Sequence, residues 1–460
     1  MVKYIHYNIR GKINMKFLII NGSPKGKYSC TLHTLLYLEQ IFDTHQFEIL
    51  NVGQQIKLYE KDLSKAVEKI NEADAIIFSY PVYTFISTSQ LHRFIELLKE
   101  QNINLENKFV TQITTSKHFY DMTAHKYIEE NCYDFKMKYI KGLSLDMDDL
   151  TKKQGQKDLI NFFNYFLECI NNNIYEVIPN INHKDIPEYI PSLSYTNKKE
   201  NKEVVIVTDL LENDNNLKNM IYDFTNHLSY QTRIVNIREF PFMGGCLGCF
   251  NCAGDGKCIY KDNFDTFLRE NIQTADAIVI AFTIKDHSMG ARFKMYDDRQ
   301  FCNGHRTVTE GMPFAYIING DYESEHNLKT IVEARVEVGH NFLAGVGYNQ
   351  DTIITTIKKL EYAIEKNFVQ PRNFYGVGGM KIFRDLIWIM RGIMKADHIY
   401  YKKHGVYDFP QKKRGQMMLM CFLGSMVRNK KIKAKMGNKF NEGMIAPYQK
   451  VINKAKKCKE

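Results

Sequence analysis

Continuous apolar segments alternate with amphipathic segments along the first third of the chain. Unbroken apolar runs of this kind are typical of strands that are buried on both faces. They predict strands near residues 16–21, 46–51, 74–80, 108–114 and 138–145. Apolar residues at helical spacing predict helices near residues 30–43, 62–72, 87–100, 122–134 and 153–171. The alternation predicts an α/β domain over residues 15–172, with a doubly wound parallel five-stranded sheet inside three α/β/α layers.

The same order begins again at residue 203. Strands are predicted near residues 204–208, 232–237, 276–283, 313–319 and 341–347. Helices are predicted near residues 215–228, 263–271, 291–301, 326–338 and 352–367. Repetition on this scale predicts a tandem duplication, with a second five-stranded sheet in residues 203–370. The intervening stretch, residues 173–202, loses periodicity and gathers Pro, Asn and Lys, so it is predicted to be a linker.

The two ends of the chain depart from this plan. Residues 1–14 are charged and contain no apolar signal-like run, so we expect an N-terminal extension. Residues 371–460 are expected to form a helical extension, with apolar helices at 380–395 and 416–428 and a turn at 376–379. This extension is predicted to cap the second domain, with docking at a membrane surface as the less favoured alternative. No apolar run approaches the length of a membrane span.

Charge and cysteine content narrow the functional classes. The chain has 460 residues and a formal net charge of +10, but residues 411–460 alone contain fourteen Lys and Arg against two Glu. The rest of the chain therefore carries about −2, which gives no support to nucleic acid as a partner. Ten cysteines without a secretory signal indicate reduced thiols and a cytoplasmic protein.

A loop rich in small and hydroxyl residues follows the first predicted strand. Gly22 permits a sharp turn, Pro24 stiffens it, and a helix is predicted to begin near Cys30. Unpaired N–H groups at a helix start attract a phosphate, but the spacing is neither the dinucleotide fingerprint nor a P-loop. The loop therefore predicts a mononucleotide site. Its expected phosphate-binding residues are Ser23, Lys25, Ser29, Cys30 and Thr31.

The turn G-S-P-K followed by S-x-T resembles the FMN phosphate loop of the flavodoxin-like NAD(P)H-dependent FMN reductases and the related iron-sulfur flavoproteins. The run Ser79–Tyr83 and the helix from Gln90 resemble the family's second flavin loop. The resemblance implies FMN at the switch point of the sheet. Further implied FMN contacts are Pro81, Val82, Tyr83 and Thr84, together with Thr115 and His118 in a third loop that lacks the family's usual glycine pair. The alternative is an ordinary strand-turn-helix.

The second predicted domain contains four closely spaced cysteines, in the order C-x2-C-x2-C-x5-C. They are Cys246, Cys249, Cys252 and Cys258. The spacing lets thiolates converge on one centre and resembles the compact motif of the iron-sulfur flavoproteins, which implies a 4Fe-4S cluster. Reduced or redox-active thiols near a flavin, and a structural zinc ion, remain alternatives. The other six cysteines, Cys458 among them, are expected to be incidental.

The two predicted domains differ in complementary ways. Where the first has its phosphate loop, the second has acidic residues at 209–216, whose carboxylates would repel a phosphate. The second domain has the cysteines and, in Phe293–Arg299, a sequence that resembles the family's F-K-x-x-x-D-R helix. These differences predict an internal pseudo-dimer, in which one FMN faces one cysteine site.

The resemblance implies an FMN-dependent NAD(P)H oxidoreductase that passes electrons to a small-molecule acceptor such as a flavin, a quinone or a nitro compound. No side chain is predicted to be a catalytic acid or base, because hydride transfer does not demand one. Two alternatives stay open. One is an electron-transfer protein without its own substrate, served by a ferredoxin-like carrier, and the other is a non-catalytic scaffold with a thiol or zinc loop.

Overall fold

The computed structural model describes residues 14–179, 186–192, 194–428, 431 and 439–457. The predicted N-terminal extension, except for Asn14, lies outside the described residues, as do Cys458 and residues 180–185 and 193 of the predicted linker. Residues up to Tyr400 form one compact unit, and residues 401–460 form a second.

The first sheet is parallel throughout and has the strand order β2-β1-β3-β4-β5, with β6 also paired to β4. Its strands are β1 (Lys16–Asn21), β2 (Gln46–Leu50), β3 (Ala75–Pro81), β4 (Phe109–Ser116), β5 (Lys138–Tyr139) and β6 (Leu143–Asp146). The predicted fifth strand is thus two short pieces. They are separated near Gly142, where the backbone lies against Gln112 and leaves no room for a Cβ atom.

Five helices lie between these strands and a sixth follows β6. They are α1 (Cys30–Ile41), α2 (Val52–Tyr59), α3 (Ser64–Glu72), α4 (Ser89–Glu100), α5 (Asp121–Asp134) and α6 (Lys153–Asn171). The sequence analysis missed α2, which has only eight residues and buries little more than Val52 and Tyr59. So short a helix owes its existence to packing rather than to its own propensity.

The second sheet repeats the first, with the order β11-β10-β9-β7-β8. Its strands are β7 (Lys199–Thr208), β8 (Tyr230–Asn236), β9 (Ala277–Thr283), β10 (Pro313–Asn319) and β11 (Phe342–Gly347). Its helices are α7 (Asn215–His227), α8 (Cys252–Asp255), α9 (Phe264–Asn271), α10 (Gly290–Arg299), α11 (His326–Val338) and α12 (Gln350–Lys366). Both orders place the switch point between the first and third strands, as in flavodoxin-like sheets. The predicted fold class, with two parallel five-stranded sheets, is confirmed.

The segment predicted as a linker is partly ordered against the second domain. Strand β7 begins at Lys199, inside that segment. Tyr189 is buried, and its hydroxyl donates a hydrogen bond of 2.5 Å to Asp223 in α7.

The described residues beyond the second sheet include four further helices. They are α13 (Phe374–Ile389), α14 (Lys395–Lys403), α15 (Arg414–Arg428) and α16 (Lys439–Lys457). The predicted turn at 376–379 is wrong, because these residues belong to α13. A Cβ atom on Gly376 would lie 2.8 Å from the Glu337 carbonyl oxygen, so its glycine permits close packing of α13 on α11. Among the described helices, none is long and apolar enough to cross a membrane.

Of the three apolar clusters among the described residues, one is shared by the two sheets and the other two belong to one domain each. Helix α4 of the first domain packs against α10 of the second. A single cluster of buried side chains includes Tyr80 and Phe94 from the first domain together with Phe282 and Phe293 from the second. This packing brings the carboxyl end of the first sheet against the cysteine-containing loop of the second domain.

Candidate functional site

The turn after β1 is held in shape by close backbone packing. A Cβ atom on Gly22 would lie 2.8 Å from Leu91, and Asn21 donates a hydrogen bond of 2.9 Å to Asn51. Ser29 caps the start of α1, since its hydroxyl accepts a hydrogen bond from the Leu32 amide. Ser23, Lys25, Ser29, Cys30 and Thr31 all line one cavity. The positive end of α1 therefore faces space that suits a phosphate.

The ends of β3 and β4 form the next part of the same cavity. Pro81, Val82, Tyr83, Thr84 and Thr115 line it. The hydroxyls of Thr31 and Thr115 lie 2.6 Å apart, which ties the start of α1 to the end of β4. We call these ten residues the FMN loops.

His118 is the one predicted FMN contact that does not line the cavity. Its Nδ1 lies 2.8 Å from an Asp121 carboxylate oxygen, and half of its side chain is exposed. The third loop instead contributes Ser116, Lys117 and Phe119 beside Thr115.

The cysteine loop, Cys246–Cys258, forms the opposite wall of this cavity, and all four of its cysteines line it. Gly248 has a φ of +60°, and a Cβ atom there would overlap the Tyr83 hydroxyl. The Lys25 ammonium lies 5.0 Å from the centre of the Phe250 ring. Gln90 donates a hydrogen bond of 3.3 Å to the Cys246 carbonyl. The structure therefore brings the cysteine loop of one domain into direct contact with the FMN loops of the other.

In the absence of a metal, the environment of the cysteine loop favours protonated thiols over thiolates. Burial raises the pKa of Cys252 to about 11 and that of Cys246 well above its usual range. The Gly248 amide opposes the shift at Cys246 by donating a hydrogen bond of 3.4 Å to its sulfur. The Cys252 thiol donates a hydrogen bond of 3.2 Å to the Phe301 carbonyl. Binding of a metal would draw protons off both sulfurs.

The positions of the four cysteine sulfur atoms do not match the ligand set of a single zinc ion. Among the described residues, Glu130, His287 and Glu325 are the only three potential ligands with atoms within 4.8 Å of one another. Zinc sulfurs would lie roughly 3.8 Å apart for a Zn–S bond of about 2.3 Å, so the cysteines are spread more widely than a zinc set. Four cysteine thiols are the type of ligand that an iron-sulfur cluster needs.

An ion pair anchors the cysteine loop to the second domain. Asp262, just beyond the loop, accepts two hydrogen bonds of 2.9 and 2.7 Å from Arg299 in α10. Arg299 also donates to the Gly244 carbonyl at 2.9 Å and stacks on the Tyr260 ring at 4.6 Å. Because the Arg299 and Asp262 side chains are buried, this bidentate pair holds the loop in one orientation.

A second ion pair in α10 joins the two domains. Lys294 and Asp298 are fully buried and bonded to each other. Lys294 donates a second hydrogen bond of 2.9 Å to the Tyr83 carbonyl, and Asp298 accepts one of 2.9 Å from the Ser89 amide. Burial raises the pKa of Asp298 to about 6, although Lys294 opposes the shift. The sequence analysis identified this motif but missed that it binds the FMN loops of the other domain.

His287 forms another contact between the domains. Its ring nitrogens lie 3.0 Å from carboxylate oxygens of Asp134 in the first domain and Glu325 in the second. Burial lowers the pKa of His287, but the two carboxylates outweigh it and raise the pKa to about 10. The ring is therefore a cation at neutral pH, which suits an ion pair rather than a metal ligand.

Comparisons with known proteins identify a family for part of the chain. The family model for NADPH-dependent FMN reductases matches residues 15–145. No curated protein matches the chain. The family match covers the first domain alone.

Three solved structures resemble about a third of the chain. An NADH:FMN oxidoreductase in its apo form is 18% identical and covers 34% of this chain and 89% of its own, with a TM-score of 0.30. The flavoenzyme FerB, an NAD(P)H:(acceptor) oxidoreductase from Paracoccus denitrificans, is 14% identical. It covers 34% of this chain and 98% of its own, with a TM-score of 0.30. An NAD(P)H:quinone oxidoreductase from Methanothermobacter marburgensis is 12% identical. It covers 36% of this chain and 98% of its own, with a TM-score of 0.27.

Proposed function

We propose, from the premise that residues 15–145 form a domain of the NADPH-dependent FMN reductase family, that the whole chain is an FMN-dependent NAD(P)H oxidoreductase with a 4Fe-4S cluster. Its electrons would pass to a small acceptor such as a flavin, a quinone or a nitro compound. The observation that carries the proposal is the single cavity lined by the FMN loops and by all four cysteines of the second domain.

The residues of the first domain supply binding and orientation. The start of α1 and Lys25 bind the FMN phosphate, and the Thr31–Thr115 contact holds the two loops around it together. Bound FMN supplies two-electron chemistry with the nicotinamide and one-electron chemistry with a carrier. Tyr83 lines the cavity at its junction with the cysteine loop.

The residues of the second domain complete the site. The four cysteine thiolates would hold the cluster, and the Gly248 amide would tune it through its hydrogen bond to the Cys246 sulfur. The Arg299–Asp262 pair anchors the cysteine loop, and Lys294 of the other α10 pair bonds the Tyr83 carbonyl of the first domain. Each domain thus supplies what the other lacks, which supports the pseudo-dimer interpretation.

The first test is anaerobic purification, followed by analysis of flavin, iron and sulfide and by assays of NADH and NADPH oxidation. The proposal expects one FMN and about four irons per chain. FMN without iron would leave an FMN reductase with free thiols. Slow NAD(P)H oxidation with fast reduction by a ferredoxin-like carrier would favour the electron-transfer alternative. Protein that takes up neither group would favour the scaffold.

Replacing Lys25 by methionine is expected to weaken FMN binding about tenfold, because a charge-assisted bond to phosphate is lost, at roughly 1.5 kcal/mol. The matched control is Lys27→Met, since Lys27 lies in the same loop but does not line the cavity. Flavin fluorescence quenching measures both affinities. Equal FMN affinities of the two variants would show that Lys25 does not bind the phosphate.

Replacing Cys252 by serine is expected to lower the iron content of anaerobically purified protein by at least half, because one cluster ligand is weakened. Cys421→Ser, at an exposed cysteine outside the cysteine loop, should keep its iron. Iron and sulfide analysis with the visible spectrum provides the readout. Unchanged iron in the Cys252 variant would contradict the ligand set.

A further inference from the structure

The cavity does not end at the FMN loops. Beyond the cysteine loop it continues along one face of the second sheet, where Ile280, Phe293, Tyr316 and Val336 line it, and below Leu386 of α13. We call this branch the chamber. The whole cavity has a volume of about 520 Å³. That volume includes the space at the FMN loops, so the chamber is compared with small-molecule sites by its lining alone. Such sites are mostly apolar and contain a few polar groups.

One charged side chain stands out in the chamber. Arg335 lies deep within the protein, yet 32% of its side chain is exposed because it faces the cavity. Its Nε and Nη2 atoms both donate to a single oxygen of Asp297, at 3.0 and 2.8 Å. A guanidinium has five N–H donors, so these bonds leave part of the Arg335 fork directed at other acceptors.

The other two arginines of the cavity wall, Arg299 and Arg306, are already paired. Arg306 lies 3.6 Å from the carboxylate of Asp397, which lines the same wall. Arg299 is neutralised by Asp262, which does not line the cavity. The anionic contact therefore rests on the Arg335 donors that are not bonded to Asp297. An apolar space with one such group is complementary to an apolar molecule with one anionic end.

We propose that the chamber is a binding site for an elongated, mostly apolar small molecule whose carboxylate or similar anionic group binds at Arg335. This inference goes beyond the proposed function, since none of the residues that carry it belongs to the FMN loops or to the cysteine set. The ligand would lie against the sheet and α13, with its anionic end toward α11.

The test uses 1-anilinonaphthalene-8-sulfonate, an apolar aromatic anion, titrated into FMN-loaded protein by calorimetry. We expect one site per chain. Leu386→Trp fills the chamber and is expected to weaken binding at least tenfold. The matched control is Ile389→Trp on the same helix, because Ile389 is 78% exposed and does not line the cavity. Its affinity should stay within twofold of the parent.

The anionic contact is tested separately. The double variant Arg335→Met, Asp297→Asn removes the guanidinium without leaving a buried unpaired carboxylate. It is expected to weaken binding of the sulfonate about tenfold but to change binding of N-phenyl-1-naphthylamine, the same molecule without the sulfonate, less than threefold. Equal losses for both probes would overturn the anionic contact.

Two outcomes would overturn the chamber as a site. One is equal binding to the Leu386 and Ile389 variants, and the other is several weak sites per chain, which would indicate surface adsorption. Retained melting temperature and FMN content show that each variant is folded. If the protein does not take up FMN, the Leu386 and Ile389 comparison is still valid, because neither residue belongs to the FMN loops. The inference and the proposed function can therefore fail separately.

Discussion

Lys294→Met is expected to lower the free energy of unfolding by about 3–5 kcal/mol, which is the typical cost of removing one partner from a buried ion pair. Asp298 would keep the Ser89 amide as a partner but lose its only counter-charge among the bonds described above. The Tyr83 carbonyl would also lose a donor at the junction with the FMN loops. Urea unfolding at pH 8 measures the effect.

The pH dependence gives a second readout of the same variant. The pKa of Asp298 in the folded protein is about 6 against an ordinary value of 3.8. The folded state therefore holds a proton that the unfolded chain releases, and the contribution of Asp298 to stability falls as pH rises through that window. Loss of Lys294 raises this pKa further. The loss in free energy of unfolding caused by Lys294→Met should be largest at pH 8 and become smaller toward pH 5.

Two controls separate the charge effect from loss of a long side chain. Lys359→Met alters an exposed lysine of α12 and should change stability by less than about 0.5 kcal/mol. The double variant Lys294→Met, Asp298→Leu should recover much of the loss, because no buried charge is left unpaired. A Lys294 deficit that is independent of pH would contradict the ion-pair explanation.

Gly248→Ala is expected to lower the free energy of unfolding by about 2 kcal/mol and to weaken FMN binding about 30-fold. A left-handed backbone costs a non-glycine residue about 1–2 kcal/mol. The added Cβ atom would also overlap the Tyr83 hydroxyl, so the ring would have to shift toward the FMN cavity. An affinity loss of 30-fold corresponds to about 2 kcal/mol. Urea unfolding and flavin titration measure the two effects.

Gly254→Ala is the matched control in the same loop. Nothing lies within 4 Å of a Cβ atom there, and the residue has no positive φ. Its FMN affinity should equal that of the parent. If the two alanine variants bind FMN equally, Tyr83 and Gly248 do not form the junction that the structure shows.

Elements with strong local signals could be predicted from the sequence. The buried strands of both sheets are continuous apolar runs. Their positions along the chain could be predicted because strand and helix alternate without long interruptions. Elements that depend on packing could not be predicted from the sequence. Helix α2 is short, and Gly376–Gly379 in α13 looks like a turn until the neighbouring helix α11 requires small residues there.

In the candidate site, too, some features could be predicted from the sequence and others depend on how the fold packs. The residues of the FMN loops lie in short motifs that resemble those of a known family, and this resemblance predicted that they line one site; His118 does not line the cavity. The bond from Lys294 to the Tyr83 carbonyl joins residues far apart in sequence through a backbone atom, which has no residue-specific signal. Arg335 likewise looks like an ordinary helical arginine until the fold places it beside the chamber.

The shared core of the two domains has a consequence for how the site responds to dilution. In an assembly of separate subunits, a cavity lined by two chains is lost as the protein concentration falls below the dissociation constant. Here both walls belong to one chain, and covalent connection holds the second wall at a high effective concentration. The number of intact cavities per chain is therefore independent of how much protein is present.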